Sequence, residues 1–176
     1  IITGTYKEGT HKIIPVDGCM IEDAQSENIL KELRRLFQSF KYQPYNEDTK
    51  RGFIRHVLIR RGFSTDETMV VLVTGQVQFP SKNAFIKELL KACPSVTTIV
   101  QNINNMSTSM VLGKRNIVIY GKGYIEDVLC SNRFRISPDS FYQINVIQTE
   151  KLYKAAIKAA GINKTDTVVD AYCGIG

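Results

Sequence analysis

The last ten residues constrain this chain most. Thr167-Val168-Val169-Asp170-Ala171-Tyr172-Cys173-Gly174-Ile175-Gly176 reads as three β-favouring residues, an aspartate at the strand end and a turn with two glycines. That is the form of a first strand running into a glycine-rich turn, where absent side chains let the backbone pass close beneath a nucleotide. An ordinary strand–turn with two glycines is the alternative. Tyr172 stands where the dinucleotide fingerprint has its first glycine, so the pattern is D-x-x-x-G-x-G. A strand that opens a parallel sheet needs neighbours delivered by crossover connections. The expectation is the front part of a larger protein: an accessory domain, then the opening of a catalytic one.

Upstream, the pattern is α+β. Residues 1–20 are short extended pieces broken by Gly4, Gly9, Pro15 and Gly18. Asp23 or Ser26 opens a helix in which Ile29, Leu30, Leu33, Leu36, Phe37 and Phe40 recur at helical spacing, and Pro44 lies beyond its end. Strands are expected over 53–60 and 69–74. A second helix over 82–92 is opened by Ser81 and stopped by Pro94. Strands over 96–102, 117–120, 124–129 and 133–136 follow, with 104–114 a polar loop. The fold expected for 1–136 is an α+β domain with a mostly antiparallel sheet. From 137 the plan changes: Ser137 or Asp139 caps a long helix reaching Ala160, Gly161 stops it, and the terminal strand follows. Residues 137–176 are expected to begin a Rossmann-like domain.

Charge and thiols narrow the function class. Lys and Arg exceed Asp and Glu by 23 to 17, a net charge of +6, compatible with a polyanionic partner. Lys50–Arg61 holds five Lys/Arg and no acid. This is either a strand edge guarded against aggregation or a stripe that contacts phosphates. The longest apolar runs, such as Met69–Val73, are four to five residues, against the roughly 20 needed to span a bilayer. The opening Ile1-Ile2-Thr3-Gly4 carries no signal-like stretch and is not expected to be a native start. Cys19, Cys93, Cys130 and Cys173 are widely spaced, with no C-x-x-C pair. A reducing, cytoplasmic compartment is the expectation, with Cys93 and Cys130 as buried thiols.

Two segments carry a family resemblance. The order D-x-x-x-G-x-G resembles motif I of class I S-adenosylmethionine-dependent methyltransferases. Phe134-Arg135-Ile136-Ser137-Pro138-Asp139-Ser140-Phe141-Tyr142-Gln143-Ile144-Asn145, followed by Asp170–Gly176, resembles the RNA uracil-5-methyltransferases. Arg55–Arg60 also resembles that family's central domain. The resemblance implies methylation of uridine C5 in 23S ribosomal RNA, or alternatively in transfer RNA. It implies S-adenosylmethionine contacts at Gln143 and Tyr172. Many members bind a [4Fe–4S] cluster, and Cys19 falls on the fourth ligand position; the three upstream ligands have no counterpart here. The family's nucleophilic cysteine and general base lie beyond the glycine loop. No catalytic residue is therefore assigned, Cys173 is rejected as the nucleophile, and this chain alone is expected to be inactive.

Three readings compete. One is part of a uridine-C5 RNA methyltransferase whose α+β domain holds RNA. Lys31, Arg34, Arg35 and the 50–61 stripe would lie on the backbone, with Tyr45 and Phe53 stacking on unpaired bases. The second is a class I methyltransferase with another acceptor. The third is a non-enzymatic RNA-binding module.

Overall fold

The computed structural model describes residues 1–16 and 18–172. It divides into two compact units, Ile1–Phe141 and Tyr142–Gly176; the sequence reading puts its boundary at 136/137.

The first unit opens with a hairpin of β1 (Gly4–Tyr6) and β2 (Ile13–Pro15), then α1 (Ala24–Ser39). Asp23 caps α1, its carboxylate accepting the Ser26 N–H at 3.0 Å. The main sheet has the order β3 (Ile54–Arg61), β4 (Thr68–Thr74), β5 (Val96–Ile103), β6 (Arg115–Tyr120). Its outer pairings are antiparallel, but β4 and β5 run parallel, joined through α2 (Lys82–Ala92). The sheet is therefore mixed. The 20-odd residues between the two strands accommodate a helical crossover, which is what a parallel pair requires. A second hairpin, β7 (Ile125–Leu129) and β8 (Asn132–Ile136), completes the unit.

The core follows from the apolar periodicities. Ile29, Leu33, Leu36 and Phe37 of α1 meet Phe85 and Leu89 of α2 over Val70, Leu72, Val96 and Ile99 of the sheet. Strand β4 is buried along its whole length, as a central strand covered on both faces must be, and its sequence is correspondingly a continuous apolar run. Tyr42, Phe53, Phe79 and Phe85 form an aromatic cluster with ring centroids 5.0–5.8 Å apart.

Three local expectations need correction. Ser81 does precede α2, but its backbone is left-handed (φ 49°) and its side chain makes no cap bond; a side-chain cap needs extended backbone. The third helix, α3, spans Val146–Ala160 rather than starting near 137. Asp139 is already engaged by the Asn116 amide at 2.6 Å, and Ser137 and Ser140 pair hydroxyl to hydroxyl at 2.7 Å. Asn145 caps α3 instead, accepting the Gln148 N–H at 3.0 Å. Lastly, residues 167–170 form no strand, because no neighbouring strand among the described residues offers them a ladder.

Candidate cofactor site and nucleic-acid face

The segment behind the cofactor expectation begins on β8 and crosses into the second unit. Arg135 lies over the Tyr124 ring, 4.2 Å from its centroid, and Ile136 is buried. Gln143 is exposed, three residues before α3. Among the described residues no hydrogen bond occupies its amide. Tyr172 is 97% exposed, and its backbone N–H donates to the Asp170 carboxylate at 3.0 Å. Cys173, Gly174, Ile175 and Gly176 lie outside the described residues, and with them the glycine turn and the rejected Cys173 nucleophile. The two residues fit the group expected of them. An open amide offers a donor and an acceptor to the amino-acid end of S-adenosylmethionine, and an open ring offers an apolar face.

The thiols do not fit an iron–sulfur cluster within this chain. Cys19 is half-buried just before α1, and among the described residues no group of three His, Cys, Asp or Glu side chains is placed to hold a metal. A cluster takes four ligands, so one thiolate does not make a site. Cys93 is buried, and desolvation pushes its thiol above the usual range, with nearby Glu32 adding to the effect. Cys130 is half-buried rather than buried.

The basic stripe divides in two. Arg55 is turned inward, its side chain 1% exposed. Its guanidinium donates to the carbonyls of Asn104 (2.8 Å) and Met106 (2.9 Å) and to Glu47 (2.8 Å), and it covers the Tyr45 ring at 4.4 Å. Arg61 bridges Asp23 at 2.6 Å and Asp66 at 2.8 Å. Burial lowers the Arg60 pKa, opposed by Asp139. Burial also lowers His56, with the Arg55 charge adding and Glu47 opposing. Of the stripe's basic residues, only Lys50 and Arg51 at its start are exposed. On α1, Lys31 pairs with Glu27 and Arg35 with Glu32, at 2.7 and 2.8 Å. Phe53 is a core residue, 5% exposed, so it has no face for a base, and Arg55 already occupies one face of Tyr45.

Sequence reasoning missed a buried amide set. Gln101 donates to Thr74 Oγ1 at 3.0 Å, and Asn102 exchanges bonds with Gly113 at 2.7 and 2.9 Å. Asn104 holds the Met110 carbonyl at 2.8 Å. Gln101 also holds the Gln76 and Val77 carbonyls of the turn after β4, while Asn102 and Asn104, with Arg55, pin the polar loop 104–114 to the sheet. The run Gln101-Asn102-Ile103-Asn104-Asn105 inside a β pattern was the available signal.

A mixed-sheet α+β unit followed by a capped helix has a counterpart in a solved structure. The crystal structure of the Pyrococcus abyssi tRNA (uracil-54, C5)-methyltransferase in complex with S-adenosyl-L-homocysteine has this fold. It matches 97% of this chain and 40% of its own length, with TM-score 0.76 and 24% identity. Across all 176 residues the chain is homologous to curated bacterial proteins named RNA methyltransferase. An uncharacterised RNA methyltransferase of Staphylococcus aureus strain COL is 41% identical over 176 residues, and one of Staphylococcus epidermidis strain RP62A is 40% identical. The chain spans 39% of the length of each of these relatives. No protein-family model matches it. Among the described residues, no helix is long and apolar enough to cross a membrane.

Proposed function

We propose that this chain is part of an S-adenosylmethionine-dependent RNA methyltransferase acting on uridine C5, with ribosomal RNA as the first candidate substrate and transfer RNA the second. The observation that carries the reading is homology along the whole chain to proteins named RNA methyltransferase, joined to the two motif segments at 134–145 and 170–176. The fold shared with a tRNA uracil-C5 methyltransferase is consistent with it.

S-adenosylmethionine supplies the methyl group. In this chain Gln143 binds its amino-acid end through the open amide, and Tyr172 packs its ring beside the cofactor. The α+β unit holds RNA. The thiolate and the base that the reaction needs belong, on this reading, to other parts of the full protein, and the 176-residue chain alone transfers no methyl group.

The test uses the complete gene product with the cofactor and RNA tritiated at uracil C5. Cofactor-dependent release of tritium to water is expected, because substitution at C5 expels that hydrogen. Methyl incorporation without release would move the acceptor to another atom. RNA binding with neither signal would leave a binding module.

A further inference from the structure

The α+β unit carries a cleft that plays no part in the cofactor assignment. It is an open depression of about 540 Å³, within the roughly 300–1,000 Å³ usual for ligand sites. Lys41 and the segment after it form one side, Arg51 to Phe53 another, with Gln76 and Pro80 closing it. Tyr42 and Phe53 of the aromatic cluster line it, and Tyr42 is fixed by donating its hydroxyl to the Pro80 carbonyl.

Three features of this cleft point to a ligand. The first is free positive charge. Lys41 and Arg51 are exposed, and among the described residues neither has an acidic partner, whereas Arg55 and Arg61 are internally paired. The second is unspent amide chemistry. Gln43 and Gln76 use only their NH2 groups, on the Lys41 and Gly52 carbonyls at 3.5 and 3.3 Å. Asn46 uses only its oxygen, on the Asp48 and Thr49 N–H groups. Two acceptors and a donor are left open. The third is backbone strain. Lys41 (φ 56°), which lines the cleft, is left-handed without being glycine, and strain of this kind gathers at ligand clamps. Lys41 sits where a helix ordinarily ends in glycine, and the Tyr42 N–H to Phe37 carbonyl bond of that ending is made.

We propose that the cleft seats one unpaired nucleotide of an RNA strand. Lys41 and Arg51 take the flanking phosphates, and the open amides of Gln43, Asn46 and Gln76 meet the base edge. Amide donors and acceptors match base edges, which only unpaired RNA presents in full. The choice of RNA rests on the methyltransferase reading; the location rests on the cleft.

The test is fluorescence anisotropy on the full chain, with short labelled single-stranded RNAs of each base and an RNA duplex as probes. Lys41→Gly relieves the strained backbone, so weaker binding by Lys41→Gly/Arg51→Gln reports lost charge and not lost fold. We expect about tenfold weaker single-strand binding and a salt slope shallower by about 1.4, two phosphates at roughly 0.7 each. Gln76→Leu should reorder the four single-base RNAs without changing the slope. An unchanged affinity and slope in the double variant would overturn the proposal. So would equal losses on duplex and single strands, which describe a general phosphate surface, or full displacement of the probe by an acidic peptide. Failure of the unaltered chain to bind any RNA would overturn the RNA reading itself. RNA binding through the cleft, without tritium release by the complete protein, would remove only the uridine chemistry.

Discussion

The two units use similar apolar periodicity to different ends. In the first, Leu72, Phe85 and Leu89 are fully buried in a core that the unit closes by itself. In the second, Ile147, Leu152 and Ile157 of α3 are 69%, 64% and 60% exposed, and Val169 is 83% exposed. A periodic apolar face says that a helix has something to bury. It does not say that the partner lies within the same unit. The sharpest test is a pair of truncations followed by urea unfolding. Phe85→Ala should cost about 3–5 kcal/mol through lost contact and a residual cavity. Leu152→Ala should fall within about 0.5 kcal/mol. A large loss for Leu152→Ala would mean that the α3 face is covered in solution and would break the contrast.

The arginines differ in the same way. Arg55 is an interior group, and Arg51 belongs to the cleft rim. Arg55→Ala leaves the Asn104 and Met106 carbonyls and Glu47 without their donor. The expected loss is about 3 kcal/mol, the usual size when one partner of a buried charge is removed. Arg51→Gln should stay within about 0.5 kcal/mol. Comparable losses for both would place Arg51 in the interior network and remove it from the proposed RNA contacts.

How much of this could be read from sequence follows from the range of each interaction. Local signals were legible. Asp23 caps α1, Gly161 ends α3, and the bounds of β3 to β8 fall within about two residues of those expected from β-branched runs and punctuation. Partnering across the chain was not. Nothing in Arg60-Arg61 indicates that Arg61 closes onto Asp23, 38 positions away. Phe53 looked available for stacking because neighbouring charges dominate its window, yet the rings of Tyr42 and Phe79 enclose it. The parallel β4–β5 pair was hidden for a similar reason: a short apolar strand has the same composition in either orientation. At the candidate site, Gln143 and Tyr172 came from motif order alone, whereas the cleft amides lie on two loops that carry no motif, Gln43 and Asn46 between α1 and β3 and Gln76 between β4 and α2.

A titration probes the aromatic cluster shared by the core and the cleft. Burial raises Tyr42 from 10.0 to about 12. A raised folded-state pKa means the neutral phenol is favoured by folding. Its contribution is whole below pH 10 and is lost as pH climbs through 12. The loss by the end of that window is on the order of 2 kcal/mol. Tyr42→Phe should flatten this alkaline limb while costing about 1 kcal/mol at neutral pH, because the Pro80 carbonyl loses its donor. Equally steep alkaline limbs in both proteins would show that Tyr42 is not buried as a neutral group.

The smallest expected effect returns to the two units through their helix ends. Helix α3 stops at Gly161 with φ 61°, and α1 is followed by Lys41 with φ 56°. The same left-handed turn is thus made once with the residue suited to it and once without. A Cβ added at Gly161 would meet nothing within 4 Å, so Gly161→Ala should lose about 1 kcal/mol from backbone strain alone. Lys41→Gly should gain up to about 1 kcal/mol, the relief of strain being partly offset by the greater freedom of glycine in the unfolded chain. Thermal melts of the two variants should therefore shift in opposite directions. If Lys41→Gly instead lowers the melting temperature as Gly161→Ala does, the lysine stem packs in a way that outweighs its strain. Lys41 would then be a structural residue, and the cation left free at the cleft would be Arg51.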